Sequence, residues 1–488
     1  MTEAQIAPYG SWKSPITADL IVAGTIGLGQ IVLDGEDVYW VEGRPSEGGR
    51  NVIVRRTSDG KISDVTPSGF NARTRVHEYG SGAYTVNDGT IYFSNFADQR
   101  LYRHNPESEP QPLTPANNRR YANAVIDSQR RRLICVCEEH NDGDSEPANT
   151  LISINLDNGE DVQVLASGCD FYSSPRLSPD NSHLAWLSWN HPNMPWDGTQ
   201  LWVASIQEDG SLGEVECIAG GVDESIFQPE WSPDGVLYFV SDRTGWWNLY
   251  RWQPSTPPLV SGGIIESLCE MEAEFGLPQW VFGMSTYGFA SENRIICTYT
   301  QNGTWHLASL DLQTKQLDAI ATPYSDINSL QVTQGKAVFI AGSATESTAI
   351  VQLHLNNGYL EVLRRSSELV IGAGYLSIPQ AIAFPTENGL TAYGFFYPPQ
   401  NQDYTAPTGE KPPLIVKSHG GPTAATSGSL SLKIQYWTSR GFAFLDVNYG
   451  GSTGYGRDYR QRLNGQWGIV DVDDCVNGAK YLAEQGLV

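Results

Sequence analysis

Basic residues are scarce: the 488-residue chain carries 31 Lys and Arg against 55 Asp and Glu, a net charge of −24. That balance leaves no basic surface to neutralise phosphates, so neither nucleic acid nor an anionic membrane is an expected partner. Long apolar runs are missing as well, and none approaches the about 18 residues that a membrane span needs. The first residues, Met1-Thr2-Glu3-Ala4-Gln5, lack the basic region and apolar core of a secretory leader. The 7 cysteines are scattered with no C-x-x-C pair. Free buried thiols in a reducing cytoplasm are therefore expected, with metal binding by them a remote alternative and no cofactor.

The length calls for two or more domains. An apolar fraction of 40% and an aromatic fraction of 11% suffice for sizeable cores. The 49 glycines and 28 prolines are spread along the chain, which reads as many turns and not as low complexity.

From about residue 30 to about 360 one unit recurs: a Gly, Asp or Asn turn, an apolar strand, a polar turn and a second strand. Its apolar strands include Val38-Tyr39-Trp40, Ile91-Tyr92-Phe93, Leu133-Ile134-Cys135-Val136, Leu184-Ala185-Trp186, Val236-Leu237-Tyr238-Phe239, Ile295-Ile296-Cys297 and Ala337-Val338-Phe339. Even spacing of roughly 40–57 residues with no linker favours the blades of an all-β propeller, about seven of them, over an array of sandwiches. The many tryptophans are most simply packing between blades. A lining at the propeller mouth is the alternative for some of them.

After Gly374 the pattern changes. Two strands flank a Thr386–Gly389 turn, and a polar loop runs from Pro398 to Pro413. A strand follows at 414–418, a helix over 431–439, a strand over 441–449 and a helix over 470–485. Val472, Cys475, Val476, Ala479, Leu482 and Ala483 are expected on the packed face of that last helix. Strand alternating with helix predicts a parallel sheet with crossover helices.

Two stretches there carry chemistry. Leu414–Ser418 breaks into His419-Gly420-Gly421-Pro422, and two glycines leave backbone N–H groups unshielded by any Cβ. At such a strand end, those amides suit a developing oxyanion. The second stretch, Gly450-Gly451-Ser452-Thr453-Gly454, matches the G-x-S-x-G pattern of a nucleophile elbow. It is rejected as one: Gly454-Tyr455-Gly456 resists the helix that should follow, and no histidine lies downstream of His419. Asp471, Asp473 and Asp474 are read as charges favouring a helix N-terminus.

Taken together, His419-Gly420-Gly421-Pro422, the run Asn448 to Gly456, Gly465-Gln466-Trp467-Gly468 with Asp471-Val472-Asp473-Asp474, and in the repeat region Arg75–Gly80, Trp189–Trp196 and Gln228–Gly235 resemble the prolyl oligopeptidase family of serine peptidases. The likeness is strongest to its acylaminoacyl-peptidase and dipeptidyl-aminopeptidase branch. The resemblance implies a propeller capping an α/β-hydrolase, short peptides as substrates, and an acyl-enzyme mechanism. It implies Gly421 as first choice for an oxyanion donor and Gly420 as second. It also places the Ser/Asp/His triad beyond Val488, so the fold expected here is a propeller followed by the N-terminal half of an α/β-hydrolase domain, inactive alone. The expected division is an N-terminal segment over 1–29 packing on the hydrolase part, a propeller over 30–373 and partial hydrolase over 374–488. Arg75, Glu78 and Trp196 are candidate substrate-binding residues, each with a structural role as the alternative. A non-catalytic peptide-binding propeller with a vestigial hydrolase stub, and an esterase on the same scaffold, are the competing readings.

Overall fold

A computed structural model describes residues 4–141, 143, 146–254 and 263–488. Seven four-stranded sheets, all antiparallel, follow one another over residues 27–64, 84–112, 119–166, 171–220, 226–269, 287–320 and 326–365. Each is a simple meander in which neighbours in sequence are neighbours in the sheet. The seven apolar strands picked out by the repeat are the second strand of each sheet. Lys336–Gly342 is buried at every position, because both faces of an interior strand pack on other sheets.

First strands of successive sheets lie against one another, and the first strand of the seventh sheet lies against that of the first. The first and seventh sheets also share a core, in which Trp40, Val52 and Val54 pack with Val338, Ile340 and Ile350. Polar side chains stitch the first strands together. Gln30, Asn123, Ser174, Gln228 and Ser329 each sit at a positive φ of 47–55° where the ladder register shifts. Such a bulge turns the backbone and re-aims the side chain. Gln30 accepts from the Ala83 amide at 2.9 Å, Asn123 from Ser174 at 2.6 Å and Gln228 from Thr286 at 2.7 Å.

The remaining chain forms a mixed sheet in the order Gln380–Pro385, Thr391–Tyr397, Ala443–Asn448, Leu414–Ser418. The last pair is parallel, from Leu414↔Ala443 to Ser418↔Val447, joined by a crossover through the helix Leu432–Thr438. Leu414, Ile415 and Val416 are half-buried because their strand is at the sheet edge among the described residues. The C-terminal helix, Val470–Glu484, packs by a face rotated from the one expected: Leu482 is buried and Cys475 packs on the core as anticipated, but Asp474 and Gly478 are the other buried positions, whereas Val472 and Val476 are about half exposed. Gly478 explains the shift. A Cβ there would come within 2.8 Å of Leu445 and 3.0 Å of Phe384, so the helix rests on the sheet at its glycine.

Residues 5–16 lie on this C-terminal part. Gln5–Ile6 pairs in parallel with Tyr404–Thr405, Asn401 donates to the Lys13 carbonyl at 2.9 Å, and Ser14 and Ser439 share a hydrogen bond of 2.6 Å. All seven cysteines are free; Cys135, Cys137 and Cys297 are buried, whereas Cys217 is exposed on its strand. Among the described residues no helix is long and apolar enough to cross a membrane.

Candidate functional site

The edge strand Leu414–Ser418 delivers His419-Gly420-Gly421-Pro422 to the end of the sheet. Gly421 adopts φ +115°, a backbone that L side chains rarely take, and a Cβ built on Gly420 would meet nothing within 4 Å. Both glycines are exposed, and their amides donate to no acceptor among the described residues. Two unshielded, unpaired N–H groups on one turn form a pre-organised place for a negative oxygen.

His419 holds that turn. Its ring stacks on Tyr449 with centroids 4.5 Å apart and planes 18° off parallel. The Tyr449 hydroxyl donates to the His419 carbonyl at 3.0 Å. Burial lowers the His419 pKa, so the imidazole is neutral near pH 7. Nδ1 lies 3.0 Å from the Gly420 carbonyl and donates to it, which leaves Nε2 to accept from Ser452 Oγ at 2.7 Å. Ser452 is thus brought to a histidine that precedes it by 33 residues, a pairing that the usual chain order of a hydrolase triad does not anticipate. Its exposure is 0%, no carboxylate contacts His419, and the helix behind it starts only at Arg457. A sealed hydroxyl cannot meet a carbonyl substrate, so the geometry is that of a structural hydrogen bond.

The three aspartates separate. Asp471 accepts from the Gly468 amide at 2.7 Å near the helix start, and Asp473 stands in the first turn, as helix charges do. Asp474 does not fit that reading. Its buried carboxylate accepts from the Gly450 amide at 2.7 Å and from Thr386, which pins the Gly450–Gly454 loop.

Beyond Pro422 the chain crosses onto the seven-sheet part. Trp280 Nε1 donates to the Thr423 carbonyl at 2.6 Å, and the Leu430 amide to the Ser343 carbonyl at 2.7 Å. Arg457 and Arg460 each reach Asp242 Oδ2 at 2.6 Å, while the Gly456 amide donates to Glu274 at 3.1 Å. Burial raises the pKa of both Asp242 and Glu274, opposed by the arginines beside them. Between the two parts lies a cavity of about 510 Å³. Trp280, Phe282, Trp305 and Asp326 line it from the sheets, and Ala424–Ser427 with Thr453–Tyr455 from the other side. A Cβ on Gly421 would stand 3.4 Å from Ala424, so the glycine turn adjoins this wall.

The segment 276–285, between the fifth and sixth sheets, spans the space that the first strands surround. The Phe282 amide donates to the Gly80 carbonyl at 3.1 Å. On its far side a second cavity of about 490 Å³ runs on along the same strands; Gln30, Gly283 and Ser285 border both.

Of the three substrate-binding candidates, none lines the cavity of about 510 Å³. Arg75 is exposed with its guanidinium 4.5 Å over the Phe96 ring, and Glu78 is exposed at φ 65°. Trp196 is buried and packs against Trp280 with centroids 4.4 Å apart and planes tilted by 44°, so it backs a wall residue. Sequence reasoning missed Trp280, Trp305, Asp326 and Tyr455. Tyr455 belongs to a stretch already singled out, and the long connection before the sixth sheet was a signal for Trp280. Nothing in the sequence marked Asp326.

A domain with these features is an α/β-hydrolase-type site faced by a β-rich cap. The model of the prolyl oligopeptidase family matches residues 428–488. A solved puromycin hydrolase is 37% identical with a TM-score of 0.91, aligned over 99% of this chain and 75% of its own. A puromycin-hydrolyzing peptidase of Mycobacterium tuberculosis is 36% identical with a TM-score of 0.92 over the same shares. Among curated relatives, the acylamino-acid-releasing enzyme of Arabidopsis thaliana is 40% identical over 79 residues, which is 16% of this chain and 10% of that enzyme. The chain belongs to the prolyl oligopeptidase family of serine peptidases.

Proposed function

We propose that this chain supplies the cap and the oxyanion turn of a serine-type peptidase that cleaves short peptides through an acyl-enzyme. The observation that carries the reading is the pair of unpaired, exposed amides at Gly420 and Gly421 beside a cavity enclosed by both parts of the chain. Gly421 is the first oxyanion donor and Gly420 the second. On this reading the seven sheets form a closed propeller over 30–373 that admits peptides and excludes folded proteins. Residues 1–29 belong with the partial hydrolase domain, 374–488. Glu78 and Arg75 stand at the rim, with Trp196 behind Trp280. On this reading residues 374–488 do not supply the Ser/Asp/His triad; the chain spans 75% of the length of the puromycin hydrolase it resembles. The seven free cysteines favour a reducing, cytoplasmic setting on this reading.

Labelling with a fluorescent fluorophosphonate tests this on the 488-residue chain and on the chain continued through its own reading frame. Labelling of the extended chain alone supports the proposal. Labelling of the short chain that Ser452→Ala abolishes would place the nucleophile at Ser452. No labelling of either would favour a peptide-binding module. Comparing a peptide amide with a simple ester of the same acyl group separates peptidase from esterase.

A further inference from the structure

The cavity wall is almost uncharged. Glycine, apolar and aromatic residues and neutral polar groups make up the lining, and among the described residues the single carboxylate on it is Asp326. No described Lys, Arg or His lines the cavity, and Asp326 forms no ion pair with any described residue. Asp326 opens the first strand of the seventh sheet, and its Oδ2 accepts from Ser427 Oγ at 2.9 Å. Oδ1 receives no hydrogen bond from a described residue. Trp305 is carried beside it, its amide donating to the Ser325 carbonyl at 3.1 Å.

A carboxylate held among aromatic walls without a counter-charge is unfavourable in the empty site. The fully buried carboxylates near this junction are compensated, Asp242 by two arginines, Glu274 by Arg460 and backbone amides, Asp446 by Lys417 and Thr426, and Asp474 by an amide and a hydroxyl, whereas Asp326 is part-buried. Asp326 has one serine hydroxyl. Burial accordingly raises its pKa, with Ser427 and Ser429 opposing. A cation entering the cavity would meet the open oxygen of Asp326 and the faces of the surrounding rings, both of which attract positive charge.

We infer that Asp326 is a specificity-determining residue that anchors the free α-ammonium of a peptide substrate in this cavity. The inference rests on the peptidase reading above and narrows it. A peptide with an unblocked amino terminus is taken, and one whose terminus is acylated loses the anchor because an amide carries no charge. The aromatic walls then receive the first side chain.

Binding to the 488-residue chain, measured by titration calorimetry, tests this without any need for turnover. The ligands are phenylalanyl-glycinamide, its N-acetyl form and its 3-phenyllactyl analogue, in which a hydroxyl replaces the ammonium. The free amine should bind on the order of 10-fold or more tighter than either neutral form. Asp326→Asn, which keeps the shape and an acceptor for Ser427, should erase that preference while leaving the N-acetyl affinity unchanged. Equal affinities of all three for the unmutated chain would overturn the anchor while leaving a peptide site. This comparison needs no variant to fold. A preference that survives in Asp326→Asn and is lost in Glu78→Gln would also overturn it, moving the anchor to the rim. Failure of all three ligands to bind would overturn the peptide reading of the cavity together with the anchor.

Discussion

Ser452 Oγ lies 2.7 Å from His419 Nε2, and the histidine is the residue that carries the two open glycine amides. The G-x-S-x-G match therefore fixes a neighbouring turn and has no reacting role on this geometry. Ser452→Ala would leave a part-buried ring nitrogen without its donor, a loss of about 1 kcal/mol. Denaturant unfolding should show that loss. Fluorophosphonate labelling of the extended chain should slow, through a looser turn, but persist; complete loss with the fold intact would make Ser452 the nucleophile.

Acid should weaken the fold through histidine. His77 packs against Phe171, Trp189 and Phe282, and burial pushes its pKa down to about 4 from 6.5, with Asn149 opposing. His419 is shifted the same way by burial. A lowered folded-state pKa means that the unfolded chain takes up the proton first. The stability is present above pH 6.5 and is lost as the pH falls towards 4. Up to roughly 3 kcal/mol follows for His77. The raised pKa values of Asp242, Glu274 and Asp326 act with the opposite sign, so the effect is read as a difference. Unfolding free energy against pH should be flatter in His77→Asn, a residue that tolerates the φ of 54° found there. Parallel curves for the two proteins would refute the assignment.

Gly421→Ala should be poorly tolerated for backbone reasons alone. At φ +115° an L residue is strained by about 1–3 kcal/mol, and the relieved turn would swing its amide away. In the extended chain, labelling should fall on the order of 100-fold while thermal stability drops little. Gly420→Ala should be milder, since a Cβ there meets nothing within 4 Å.

The contact between the first and seventh sheets hangs on Glu42. Its carboxylate, 1% exposed, takes Arg44 at 2.7 Å from its own sheet and Arg364 at 2.7 Å from the seventh. Removing one partner of a buried pair is costly, and Glu42→Ala should destabilise by on the order of 3 kcal/mol. Hydrogen exchange should quicken first in 27–64 and 326–365. Uniform exchange across all seven sheets would mean that this seam is not the weak point.

Much of this architecture was legible because it rests on short-range pattern. The turn-strand-turn unit found all seven second strands, since each is apolar on both faces and bounded by residues that favour turns. The helices near 432 and 470 and the glycine turn were legible for the same reason. What escaped was long-range. No periodicity shows that Gly478 lets a helix sink onto Leu445, or that Asp474 turns to hold Gly450 instead of facing solvent. The pairing of His419 with Ser452 depends on two strands becoming neighbours, which fixed chain order does not reveal. Asp326 looks like any strand-opening aspartate until Ser427, 101 residues away, closes on it.

The segment 276–285 has a bearing on traffic between the two cavities. Gly283 and Ser285, together with Gln30, border both, so the segment is a partition that anything passing from one space to the other must skirt.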